Sequence, residues 1–115
     1  MAQEVTVQEA PQEVKEIHIH VKVQKVPQED VPYHTPLYIA TIDVDGAKRE
    51  MTVSPFKEVN LYFAFSDLTG ALHDVYRVAV SKHEKPKTED FNRALEDIED
   101  ALAYLLAYTI SEDLK

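Results

Sequence analysis

The side chains that could do chemistry in this 115-residue chain are histidines and carboxylates, because the sequence contains no cysteine. His18 and His20 alternate within a stretch of strand-like spacing, and three more histidines stand at His34, His73 and His83. Two imidazoles at positions i and i+2 of a strand share one face and could begin a metal site, but such sites need further ligands. No spacing brings other ligands to this pair, so we expect solvated histidines and no bound metal.

The carboxylates give no stronger indication of catalysis. The run Asp43-Val44-Asp45-Gly46 begins like a calcium-binding loop but lacks the other ligands and the closing Glu, so we interpret it as a hairpin turn. No phosphate-binding glycine loop, hydrolase elbow or metalloprotease motif occurs, and two glycines could hide none. The sequence therefore predicts no enzyme activity and no cofactor. Four further acids are expected on an exposed helix face: Glu96, Asp97, Glu99 and Asp100.

Charge is concentrated at the C-terminal end of the chain. The formal net charge is −9, and residues 88–115 alone contain eight acidic and two basic residues. A negative surface repels phosphate and mildly favours a basic partner, which would meet those four acids, although solubility alone would also explain the charge. The low content of Gly, Cys and Trp is typical of heat-tolerant proteins. The lack of a basic and apolar leader and of a long apolar run predicts a cytoplasmic protein without a membrane span.

The length and the hydrophobic content predict one α+β domain over residues 15–115, preceded by an arm over residues 1–14. The arm is rich in Gln and Glu, yet Val5 and Val7 have strand spacing. We therefore expect either a flexible arm or an edge strand, which could belong to a neighbouring subunit. The expected domain is an antiparallel sheet of about four to five strands with one long C-terminal helix packed across one face.

Several segments have strand character. Residues 16–24 alternate without a break, and Asp45-Gly46 supplies the positive φ angles of a two-residue hairpin turn within residues 37–53. That turn sets a register that pairs Val44 with Ala47 and Tyr38 with Val53. Arg49 then falls on the apolar face, and we expect it to reach water at the sheet margin. Residues 59–66 and 76–82 also fit strands, and residues 66–75 fit either a turn or a short helix.

The clearest helix runs from Thr88 to Ile110. A stripe at alternating steps of four and three residues runs from Phe91 to Thr109, and we expect it to face the sheet. From Ala101 onward the helix is apolar on nearly every side, which one sheet face cannot cover. The alternatives are a homodimer or partner interface, or burial under the arm or a loop. The expected interface residues are Leu102, Tyr104, Leu105, Leu106, Tyr108 and Ile110.

A second function is a single-stranded nucleic-acid-binding module. Aromatic and basic residues on the outer face of a strand can stack on bases and neutralise phosphates. The candidates are Tyr62, Tyr76, Arg77, Lys82, Lys85 and Lys87. The preferred interpretation remains a non-enzymatic, self-associating protein-interaction module, an accessory subunit of a larger assembly.

Overall fold

The computed structural model describes residues 13–32, 34–80 and 88–114, and their fold is α+β. A three-stranded antiparallel sheet precedes two long helices, so the predicted four to five strands are reduced to three. The elements are β1 (Ile19–Lys25), a single 3₁₀ turn (Gln28–Asp30), β2 (Tyr38–Val44), β3 (Ala47–Val53), α1 (Lys57–Val80) and α2 (Thr88–Ile110).

The β2–β3 hairpin confirms the predicted register. Tyr38 lies opposite Val53 and Val44 opposite Ala47. Asp45 has a φ of 51° and Gly46 a φ of 93°, the two left-handed residues that a type I′ turn requires. The Asp43 carboxylate accepts a hydrogen bond of 2.8 Å from the Gly46 N–H. The acids of this run therefore stabilise a turn.

Strand β1 adds to the free edge of β2, which gives the strand order β1-β2-β3. Val21 lies opposite Ile42, and the His18 N–H donates a hydrogen bond of 3.0 Å to the Asp45 carboxylate at the hairpin. The alternation of the sequence holds, because Ile19, Val21 and Val23 are half-buried while the residues between them are exposed. The predicted edge strand at Val5 and Val7 lies outside the described residues.

Helix α1 replaces the two strands predicted after the hairpin, which were wrong in the described residues, and it decides the choice between turn and short helix at residues 66–75 in favour of a helix. The segments 59–66, 66–75 and 76–80 all belong to one 24-residue helix. Aromatic and β-branched residues favour strands only weakly, and packing against a neighbouring helix overrides that preference. Ala64 and Ala71, at 1% and 2% exposure, are buried in this packing.

Polar contacts join the beginning of α1 to the end of α2. The Asn60 amide, fully buried, accepts a hydrogen bond from the Ser54 N–H at 3.1 Å and donates to the Ser54 carbonyl at 2.8 Å and to Ser111 Oγ at 3.2 Å. Lys57 Nζ donates to the Tyr108 carbonyl at 2.7 Å and lies over the Tyr108 ring. A cation at a helix C-terminus stabilises the last carbonyls, so these contacts hold the helix pair together at one end.

The predicted bounds of α2 are confirmed. The helix packs on the sheet, but the side of the helix that contacts the sheet is not the one expected. Ala103 and Ala107 pack against Tyr38, Ala40 and Ile42 in the buried core. The stripe predicted to face the sheet points elsewhere and is exposed at Phe91, Ile98, Leu102 and Leu105. The physical reason is that small residues allow the helix to approach the sheet closely, whereas the large stripe residues would hold it away.

Candidate interaction surface

Helices α1 and α2 form an antiparallel pair with a regular register. Phe63 stacks on Tyr104 with ring centroids 5.2 Å apart, and Arg77 lies 3.8 Å from Asp90. Midway between them, a Cβ atom on Gly70 would lie 3.5 Å from an Asp97 carboxylate oxygen. A seven-residue step along α1 is thus matched by a seven-residue step in the opposite direction along α2, as in a helical pair of the coiled-coil type.

The seam between the helices consists of small and polar residues with four–three spacing. Each seam residue is buried or half-buried in the single chain. Small side chains permit close approach of the two helices, which explains why the alanines of both helices are the buried ones. The α1 seam is Asn60, Ala64, Asp67, Ala71 and Asp74, and the α2 seam is Asp90, Ala94, Asp97, Ala101 and Tyr104.

Acidic groups of the seam repel one another. Burial raises the pKa of Asp97, the charges of Asp74, Asp100 and Glu96 raise it further, and Arg93 opposes them. Burial also raises the pKa of Asp67, with added repulsion from Asp100 and Asp97. For Tyr104, burial raises the pKa, and the charges of Asp67 and Asp100 add to it. At Asp67 and Asp97 the seam is therefore less stable with the carboxylate charged than with it neutral.

Arg49 keeps part of its side chain in water, at 37% exposure, as predicted, and it also connects the sheet to α2. Its guanidinium donates to Glu99 Oε1 at 3.2 Å and to the Asp100 carboxylate. Burial opposes the charge of Arg49, but the hydrogen bonds and charges of Asp100 and Glu99 outweigh it and raise its pKa. Glu99, only 7% exposed, thus has its counter-ion on β3.

This ion pair corrects the predicted acidic partner face. Glu96 is exposed, but Asp97 and Asp100 are half-buried and Glu99 is buried. Asp97, Glu99 and Asp100 occupy the sides of α2 that face α1 and the sheet, where Arg49 and the seam partly enclose them. They do not form one exposed surface for a basic partner.

Burial in the described residues favours small side chains over large ones. Seven of the eleven buried hydrophobic residues are alanines, whereas eighteen large hydrophobic side chains are exposed. Soluble proteins normally bury Leu, Ile, Val and Phe preferentially, since each contributes about 1.5–3 kcal/mol when removed from water. The single chain therefore leaves in water the side chains whose burial would contribute most to the free energy of folding.

Nine of these exposed residues, together with the half-buried Leu95, form one surface, which we term the open face. Each of its members directly follows a seam residue in the sequence. Because successive residues of a helix are rotated by about 100°, the open face lies about 100° around each helix from the seam. Because the helices are antiparallel, this rotation brings both stripes to the same side of the pair, away from the sheet. The open face is Leu61, Phe65, Leu68, Leu72 and Val75 of α1 with Phe91, Leu95, Ile98, Leu102 and Leu105 of α2.

The open face is large and carries no charge. Leu95 is half-buried, and the other nine residues are between 37% and 71% exposed. With on the order of 200 Å² for a fully open large side chain, they present roughly 900 Å² of apolar surface. The largest apolar patch of a typical monomer is about 300–600 Å². Absence of charge and richness in Leu and Phe are features of the centre of an interface rather than of a solvated surface.

The residues predicted as an interface are divided among the sides of α2. Leu102 and Leu105 belong to the open face, and Leu106 is exposed at 40%. Tyr104 lies in the seam against Phe63, and Tyr108 lies under the Lys57 ammonium. Ile110, 44% exposed, is at the helix end.

The nucleic-acid candidates do not form the expected sheet platform. Tyr62 and Tyr76 lie on α1 and are each 67% exposed. They are fourteen residues apart, about 21 Å along a helix, too far to stack on adjacent bases. Arg77 points to Asp90, and Lys82, Lys85 and Lys87 lie outside the described residues.

The histidines are dispersed. His18 Nε2 lies 3.1 Å from Glu16 on an exposed stretch, His20 is on the outer sheet face, and His34 and His73 are exposed on a loop and on α1. His83 is outside the described residues. Within the described ranges, no group of three or more histidines and acids could hold a metal ion. None of the helices described is long and apolar enough to cross a membrane.

Fold and surface together define a three-stranded sheet that supports an antiparallel helix pair with an exposed apolar side. No protein-family model matches this chain, and neither curated proteins nor solved structures gave a significant match.

Sequence reasoning missed the half of the open face that α1 supplies. The signal was present, because Leu61, Phe65, Leu68, Leu72 and Val75 follow the same four–three steps as the stripe on α2. The period-two alternation of residues 59–65 concealed it, since an apolar run of that length fits either a strand or a helix.

Proposed function

We propose that this protein is a non-enzymatic interaction module that self-associates through the open face. A second copy of the chain is the occupant. One observation carries the proposal: the two helices present matched, uncharged stripes of large apolar residues that the single chain leaves in water. A helical hairpin of this kind becomes half of a four-helix bundle when two copies pack face to face.

The size of the open face agrees with that of a dimer interface. A stable interface buries about 800 Å² on each partner, and the open face presents a similar area. Seams at four–three spacing also have the geometry that lets helices pack side by side at interaxial distances of about 8–10 Å. The face is therefore large enough for a dimer without any contribution from the sheet.

Sedimentation equilibrium tests the proposal directly. At high micromolar concentration we expect twice the chain mass of 13.1 kDa. Leu72→Glu places a charge at the most exposed aliphatic position of the open face, 71% exposed, and should weaken the dimer by at least about thirtyfold, the effect of a typical hot spot.

The matched control is Leu114→Glu, which changes another exposed leucine, 55% exposed, beyond the end of α2 and outside the open face. It should leave the dimer intact. Both variants should retain the circular dichroism of the parent. A wild-type mass of one chain at high micromolar concentration, with native helix content, would contradict self-association.

A role as an accessory subunit, with a basic partner and a cytoplasmic setting, belongs to the same proposal. The net charge of −9 supports a basic partner through its long-range field, although Glu99 and Asp100, two of the acids first expected to meet it, pair with Arg49. The partner would then contact the dimer outside the open face.

A further inference from the structure

The open face is built of five layers, each with one residue from α1 and one from α2. The register of the helix pair, set by Phe63 on Tyr104 and Arg77 beside Asp90, determines them. A step of three or four residues along α1 is matched by an equal backward step along α2. From one end to the other, the layers are Leu61 with Leu105, Phe65 with Leu102, Leu68 with Ile98, Leu72 with Leu95, and Val75 with Phe91.

Two symmetric arrangements could bring two such faces together. An isologous dimer requires a two-fold axis within the plane of the interface, either along the helices or across them. An axis along the helices puts every layer against its own copy and sets each α1 against the partner's α2. An axis across the helices, at the Leu68–Ile98 layer, reverses the layer order and sets each α1 against the partner's α1.

The two arrangements differ in how they distribute the two phenylalanines. With the axis along the helices, the layers of Phe65 and Phe91 each hold two phenylalanines, while two other layers hold four leucines each. With the axis across the helices, Phe65 meets the partner's Leu72 and Phe91 meets the partner's Leu105. Each of the four outer layers then holds one phenylalanine.

Even distribution matters because four helices at a uniform spacing enclose a similar volume in every layer. Interiors are close-packed, so overfilled layers and underfilled layers both destabilise a bundle. Layers with two rings beside layers with none would force the helices apart at one level and leave gaps at the next. The reversed arrangement avoids both.

We infer that two copies pair about a two-fold axis across the helices, so that the partner's Leu68 faces Leu68 and the partner's Ile98 faces Ile98. This inference rests on the proposed self-association and specifies its geometry. It also sets the two sheets at opposite ends of the four-helix bundle, because each sheet lies beside the C-terminal half of its own α2.

Single-cysteine variants can test the geometry, since the chain has no cysteine of its own. Leu68→Cys and Ile98→Cys each place one sulfur in the central layer. The first measurement is the dimer mass of each variant under reducing conditions, which shows that it still folds and associates. The second is the fraction of chains linked after mild oxidation, with one variant carrying a mass tag so that all products separate.

Each variant alone should form a linked dimer, and in an equal mixture the Leu68→Cys chain should join its own kind. Linked Leu68→Cys pairs should exceed mixed pairs by at least about fivefold, since sulfurs join only where Cβ atoms come within about 4.5 Å. A mixture of Phe65→Cys with Leu72→Cys should likewise link more than either alone.

The possible outcomes separate the two proposals. A dimer whose Leu68→Cys chains link mainly to Ile98→Cys chains has its axis along the helices, which overturns the inference and leaves self-association standing. A dimer that links at none of these positions also overturns the inference. A wild-type monomer removes both proposals.

Discussion

The two sides of α2 use opposite kinds of residue. On the sheet side, Ala103 and Ala107 are fully buried against β2. On the open side, within the same two turns of the helix, Leu102 and Leu105 remain 37% and 39% exposed. Small residues occupy the contacts that the chain completes by itself, and large residues occupy the side that it leaves open. This contrast supports the proposed self-association, in which a second copy would cover the open side.

The largest expected effect comes from removing the ion pair between the sheet and α2. Arg49→Ala should lower the free energy of unfolding by about 2–3 kcal/mol, because Glu99 would remain buried without its counter-ion. Urea unfolding at a fixed chain concentration measures it. Lys48→Ala, on the outer face of the same strand, is the control and should cost less than about 0.5 kcal/mol.

A second substitution tests whether Arg49→Ala acts through the unpaired charge of Glu99 or through the lost packing of the Arg49 stem. Adding Glu99→Gln to Arg49→Ala should recover part of the loss, since it removes the unpaired charge. Equal stability of the single and double variants would show that Arg49 acts through its stem rather than its charge.

Enlarging a residue on the sheet side should also be costly. Ala103→Leu inserts three carbons where α2 meets β2, and overpacking of this kind costs about 1–3 kcal/mol. Thermal unfolding should show the loss at every chain concentration. Ala47→Leu, at an exposed position of β3, should change stability little. If the two substitutions proved equally mild, the close approach of α2 to the sheet would be in doubt.

The contribution of the open side to stability should instead depend on the chain concentration. For a dimer, a tenfold rise in chain concentration should raise the apparent stability by about 1.4 kcal/mol. Leu72→Ala should reduce this dependence and lose most of its effect in dilute solution, because the residue is 71% exposed in the single chain. A melting temperature independent of concentration would show that the open side contributes nothing to folding.

Local signals determined the parts of the fold that the sequence predicted correctly. Asp45-Gly46 specifies a turn within two residues, and the whole β2–β3 register follows from it. The bounds of α2 were equally clear, because acids at Glu89 and Asp90 mark its start and its periodicity is unbroken.

The parts that failed depended on contacts between distant segments. Whether residues 59–66 form a strand or a helix is decided by α2, about forty residues away, which supplies the seam for Ala64 and Ala71. Gly70 indicated a turn, yet it lies inside α1, where a glycine costs about 1 kcal/mol relative to alanine. The stripe of α2 was recognised, but the side that it faces could not be known without its partner helix.

The smallest expected effect concerns the seam between the two sides. Burial and neighbouring acids raise the pKa of Asp97, so the folded chain binds this proton more tightly than the unfolded chain does. Stability should therefore increase as pH falls from neutral towards the ordinary pKa of an aspartate, about 3.9. The repulsion is fully present at pH 7, and Asp97→Asn should stabilise the protein there by about 0.5 kcal/mol.

The difference between Asp97→Asn and the parent should shrink as the solution is acidified, because the parent then carries the neutral group as well. Urea unfolding at several pH values, at one chain concentration, measures it. Glu50→Gln removes an exposed carboxylate from the outer face of β3 and should give a small, nearly constant difference. A loss of stability in Asp97→Asn at pH 7 would contradict this prediction. The Asp97 carboxylate would then make a favourable contact across the seam, and the seam would stabilise the fold as the sheet-side contacts do.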